Sequence, residues 1–140
     1  MTIGADDLDL PGVVAEVRTL FEHYETALLA NNIEALDNFF FASRGTVRFG
    51  IAEHAFGIES VRLHRAGLPR THPERQLMNT VINTIGADVA IVSTEFTAPD
   101  TMKVGRQTQA WIRFEAGWKI VAAHVSLVDL PFARNCDSGA

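Results

Sequence analysis

The chain has 140 residues, 47% of them hydrophobic and 21% charged, which bounds it to a globular protein large enough to bury a core. A formal net charge of −5, with 12 scattered basic residues, leaves no electrostatic footprint for nucleic acid. The single cysteine, Cys136, excludes an intrachain disulfide and a cysteine-built metal centre, and it suits a reducing cytoplasm.

The acidic opening "MTIGADDLDLPG" lacks the basic-then-apolar order of a secretory signal. No apolar run approaches the ~20 residues that span a bilayer, so neither export nor membrane insertion is expected. One domain over 1–140 is expected, with loose ends at about 1–8 and 133–140.

Val13, Val17, Leu20, Phe21, Tyr24 and Leu28 recur at three- and four-residue steps, which predicts an amphipathic helix from Pro11 to about Ala30. Pro11 suits the first turn, and Asp9 is a candidate cap. Asn32 is a candidate N-cap for a shorter second helix carrying Ile33, Leu36, Phe39 and Phe40.

"TVRFGIAE" alternates with period two and reads as a strand, after which "GIESVRLHRAG" returns to helical spacing and stops at Gly67. Four strands follow, at about 75–85, 88–97, 103–114 and 118–128. The Gly-, Pro- and Asp-rich turns between them are short enough to require antiparallel hairpins. A strongly bent sheet wrapped around the first helix, of the α+β class, would enclose a pocket.

The last hairpin is apolar near its turn and polar far from it. Pairing Phe114 with Trp118 sets Thr108 opposite His124 and Arg106 opposite Ser126, so that Arg106, His124 and Ser126 line the pocket mouth. Gln107, Gln109 and Trp111 then form an outer, candidate homodimer surface. A two-residue turn exchanges the faces.

Other polar residues carry two readings each. His124 is either a satisfied core histidine or a ligand contact, and no second histidine sits at metal-ligand spacing. Arg48, opposite in parity to Val47 and Phe49, is either solvated or a carboxylate receptor inside the pocket. Tyr24, on the apolar stripe of the first helix, is either packed with its hydroxyl satisfied or a proton donor at the pocket's inner end. Arg70 and Arg75 of "LPRTHPER" are weaker anion-binding candidates, and Glu53 and Asp129 read as solvated. Nucleophile and phosphate-loop signatures are absent.

The two stretches "VRFGIAEHAFGIESVRLHR" and "KVGRQTQAWIRFEAGWKIVAAHVS", in this order of elements, resemble the SnoaL/NTF2-like cone fold over about residues 11–132. Within that superfamily the chain resembles the DUF3225 group, which includes the AtzH and HpxZ proteins of nitrogen-compound catabolism. The resemblance to AtzH-type members implies a metal- and cofactor-independent amidohydrolase that decarboxylates 1,3-dicarboxyurea to allophanate, between an amidase and allophanate hydrolase. It also implies catalytic roles for Tyr24 and Arg48, to which the residues picked out above, Arg106, His124, Ser126 and Arg70, are added as candidates for binding the small dianionic substrate. A ligand-binding or assembly partner of a neighbouring amidase and a SnoaL-like cyclase or isomerase are the alternatives.

Overall fold

Helix α1 (Pro11–Leu29) buries Val17, Phe21, Tyr24, Ala27 and Leu28, the stripe expected from the spacing, in a computed structural model that describes residues 2–130. Pro11 occupies the first turn, where its missing N–H costs nothing. Asp9 does not cap this helix. Its carboxylate accepts from the Thr84 N–H at 2.8 Å and its own N–H donates to the Thr84 carbonyl, which pins the entry of α1 to a strand edge.

The segment ahead of it is also tied down, by a 3-10 turn at Ala5–Asp7 and a bridge from Leu8 to Ile85, where loose chain was expected. The expected loose end at 133–140 lies outside the described residues. Asn32 caps α2 (Ile33–Asn38) by accepting from the Ala35 N–H at 3.1 Å.

Beyond α2 come β1 (Val47–Phe49), β2 (His54–Phe56), α3 (Ile58–Gly67), β3 (Leu77–Ile85), β4 (Val89–Thr97), β5 (Lys103–Phe114) and β6 (Gly117–Asp129). The strand expected across "TVRFGIAE" stops at Phe49. There the Gly50 N–H donates to the Glu53 carbonyl and reverses the chain into β2. The six strands form one sheet in the order β2-β1-β6-β5-β4-β3, with every pair antiparallel except β1 and β6. The core lies where this curved sheet meets α1, with Trp111, Trp118, Ile120, Val92 and Ile82 packed against Phe21, Leu36 and Phe40. No helix among the described residues is long and apolar enough to cross a membrane.

The last hairpin contains both of the registers considered from sequence. Its turn has two residues, so Phe114 pairs with Gly117, Arg113 with Trp118 and Trp111 with Ile120. The register then shifts by one residue at Val121, and beyond it Ala110 pairs with Ala122, Thr108 with His124 and Arg106 with Ser126, as expected. A bulge of this kind places two residues of one strand opposite one of the other and changes which parity faces inward. Thus Trp118 and Ile120 are buried before the bulge, whereas after it the buried position is Ala123 and His124 is exposed.

Candidate functional site

One row across the sheet sets the wall of a pocket. Arg48 pairs with Ala123, Ala123 with Gln109 and Gln109 with Val92, and all four are buried on the concave face. The next inward row carries Val125 and Gln107. Helix α1 adds Tyr24 and Leu28, α3 adds Arg65, and the segment after α3 adds Leu68, Pro69, Thr71 and Arg75. Together these residues bound a pocket of about 400 Å³, within the roughly 300–1,000 Å³ usual for small-ligand sites.

Tyr24 and Arg48 therefore meet in one cavity, and Arg75 reaches it too. Arg106, His124 and Ser126 do not. They lie on the outer face because the Val121 bulge reverses parity, and there Arg106 Nε donates to Ser126 Oγ at 3.3 Å while His124 stands edge-on to Phe49. Gln107, Gln109 and Trp111 are correspondingly inward, 5%, 1% and 0% exposed, so the surface assigned to a homodimer is buried inside the fold. Arg70 is exposed and donates to the Leu29 carbonyl at 3.3 Å, although its neighbours Pro69 and Thr71 line the pocket.

The charges in the pocket are arranged in pairs, with one exception. Arg48 Nη1 contacts Glu53 Oε1 at 2.5 Å, with side chains 10% and 13% exposed, so Glu53 is not the solvated residue its sequence position suggested. Gly50 makes this contact possible, since a Cβ there would collide with both the Glu53 carboxylate and the Arg48 guanidinium. Burial pushes the Glu53 carboxyl upward. The hydrogen bond and charge of Arg48, the Ala52 N–H and the charge of His64 together outweigh that burial and hold Glu53 below its ordinary value. Arg75 forks onto both oxygens of Glu25 at 2.9 and 3.1 Å, lies 4.0 Å over the Phe96 ring and donates to Gln107 Oε1.

Arg65 is the exception. It is 7% exposed and donates from Nη2 to the Tyr24 hydroxyl oxygen at 3.2 Å, with no carboxylate within salt-bridge distance among the described residues. The sequence held a signal for it: Ile58, Val61 and Arg65 share one helical stripe, and a charge on an apolar stripe is a charge facing inward. Deeper in the wall, Gln109 Oε1 accepts from the Trp111 indole N–H at 3.1 Å. The Gln107 side-chain amide nitrogen is buried with no partner. Among the described residues no three His, Cys, Asp or Glu side chains gather as a metal-ligand group.

Such a pocket can hold a small acid, with guanidinium groups for its carboxylates and a tyrosine hydroxyl for proton transfer. No curated protein is matched by the sequence. Two crystal structures are similar over nearly their full length. One is a protein of unknown function of the DUF3225 family from Pectobacterium atrosepticum, 44% identical with a TM-score of 0.88, covering 91% of this chain and 100% of that one. The other is a cystatin-like fold protein from Burkholderia xenovorans, 47% identical with a TM-score of 0.86, covering 89% and 98%. An NTF2-like protein of unknown function from Pseudomonas putida, 18% identical with a TM-score of 0.71 over 91% of this chain and 95% of that one, shares the NTF2-like fold alone. The AtzH-like family model matches residues 6–131, nearly the whole sequence, and the chain belongs to the AtzH-like family.

Proposed function

We propose that this pocket decarboxylates a small carboxylated urea, 1,3-dicarboxyurea, to allophanate. Family membership supports the substrate class, and the observation that carries the reading is the convergence of the Tyr24 hydroxyl with Arg48 in one arginine-rich pocket. A guanidinium offers five N–H donors. The Glu53 contact runs through Nη1 alone, so Arg48 retains donors for one terminal carboxylate of the substrate and fixes its position.

Because Arg65 already donates to the Tyr24 oxygen, the tyrosine's own proton is free to point elsewhere in the pocket. In the reaction the bond between nitrogen and the departing carboxylate breaks, its electron pair stays on nitrogen, and Tyr24 delivers a proton there as carbon dioxide leaves. Water returns the proton to the phenolate. The net change is one dicarboxyurea dianion and one proton giving allophanate and carbon dioxide, a step that fits between an amidase and allophanate hydrolase.

Carbon dioxide release from freshly generated 1,3-dicarboxyurea tests the reading, with wild type, Tyr24→Phe, Arg48→Ala and no protein compared after circular dichroism has confirmed folding. Wild type accelerates release over the spontaneous rate. Tyr24→Phe lowers kcat by about 10²-fold or more, the usual worth of a positioned proton donor, and Arg48→Ala chiefly raises KM. Wild-type release no faster than the protein-free control would overturn the reading.

A further inference from the structure

We infer that Arg65 and the Gln107 side-chain amide form a second carboxylate-binding recess, so that the pocket takes compact dicarboxylates held by Arg48 at one end and Arg65 at the other. The inference rests on the acid-binding reading of the pocket and adds the recognition of the second charge. Two independent observations point to a ligand. The Arg65 guanidinium is 7% exposed and has no carboxylate within salt-bridge distance among the described residues, unlike Arg48 and Arg75, which are each paired with a glutamate; the Asp37 charge acts on it only from beyond that distance. A buried cation without a contacting counter-ion is costly, and an arriving anion lowers that cost.

Gln107 is 5% exposed, its carbonyl oxygen accepts from Arg75, and its NH₂ group has no acceptor. Orienting the amide by its oxygen presents the nitrogen as a fixed donor, and an unsatisfied buried donor calls for an acceptor from outside the protein. Arg65, Gln107 and Tyr24 all line the same cavity. A carboxylate supplies what both groups lack: negative charge for the guanidinium and a lone pair for the amide.

Calorimetric titration with two probes isolates this recess. Glutarate has two carboxylates separated by a three-atom spacer, the same count as in 1,3-dicarboxyurea, and butyrate is glutarate with one carboxylate removed. Wild type binds glutarate at least about tenfold more tightly than butyrate, the range a charge-assisted hydrogen bond supplies. Arg65→Met abolishes that preference, Arg65→Lys restores part of it, and Gln107→Met reduces it severalfold.

Equal affinity of wild type for the two probes, or a preference that survives in folded Arg65→Met, overturns the inference. If Arg65→Met fails to fold, an unchanged preference in Gln107→Met together with Arg65→Lys does so. The outcomes separate from those of the catalytic test. A glutarate preference that depends on Arg65, without acceleration of carbon dioxide release, keeps the recess and removes the reaction. Acceleration with an Arg65-independent preference does the reverse.

Discussion

Glu53→Gln removes the negative half of the Arg48 pair while keeping the shape of the side chain. At a few ångströms and an effective dielectric near 20, two unit charges attract by about 4 kcal/mol, much of which desolvation offsets. Fully buried pairs lose about 3–5 kcal/mol when one partner is removed. Here the side chains are 10% and 13% exposed beside a pocket, so water partly compensates the stranded guanidinium. A loss of about 2 kcal/mol at pH 7 is expected, measured by urea unfolding.

The pH dependence is the sharper test. Glu53 titrates below its ordinary value of 4.5 in the folded protein, so its ionised form contributes stability that is fully present above that value and is lost as pH falls through the folded one. Glutamine does not titrate. The gap between wild type and Glu53→Gln is therefore full at pH 7, begins to close below about 4.5 and keeps closing on further acidification. Other carboxylates protonate in both proteins alike and cancel. With Arg48→Met added, Glu53→Gln costs little, because no charge is left stranded. A gap under about 0.5 kcal/mol at pH 7, or one that stays constant down to full protonation of the chain's carboxylates, would refute this account of the pair.

Three further perturbations act on neighbouring features. In Gly50→Ala the new Cβ displaces the flexible Glu53 carboxylate from Arg48, so the Glu53 carboxyl carbon, followed by nuclear magnetic resonance, titrates closer to its ordinary value than in wild type. Gly105→Ala drives a methyl into the Phe96 ring, which is held on its pocket side by the Arg75 guanidinium. The protein loses about 1–3 kcal/mol in urea unfolding, and the Arg75–Phe96 wall of the pocket shifts. Asp37→Asn stabilises by about 0.5 kcal/mol at pH 7, because burial raises that carboxyl against the opposing charges of Arg62 and Arg65 and it sits at the negative end of α2. Since its folded value is raised, the penalty of ionised Asp37 is absent at low pH and grows as pH rises through that value, so the gain disappears in acid.

What was legible in the sequence was what is local. The stripe Val17, Phe21, Tyr24 and Leu28, the Asn32 cap and the antiparallel hairpins joining β3, β4, β5 and β6 each depend on residues a few positions apart and form as expected, although the last turn has two residues where Phe114 was expected to pair with Trp118 across three. The parallel pairing of Val47–Phe49 with 122–124 joins segments from opposite ends of the chain and carries no periodic mark in either. Strand β2, at three residues, is shorter than any period-two signal can establish.

The site shows the same division through one residue. Tyr24 was readable because it lies within a long uninterrupted helix whose apolar stripe declares the inward face, whereas Arg48 sits between the apolar Val47 and Phe49 in a three-residue strand, which left its inward and outward readings both open. Arg106, His124 and Ser126 were placed by carrying the parity of Trp118 and Ile120 along β6, and Val121 breaks that parity. A bulge costs one unpaired residue and leaves composition untouched, so alternation on either side looks continuous while its meaning reverses. The buried glutamines were the available warning. With Trp111 on the same face, reading Gln107 and Gln109 as surface required a tryptophan beside them to be solvent-exposed. Placing Trp111 in the core instead puts both amides inside, and two amides in a core demand polar partners, which Arg75, the indole N–H and an incoming ligand carboxylate can supply.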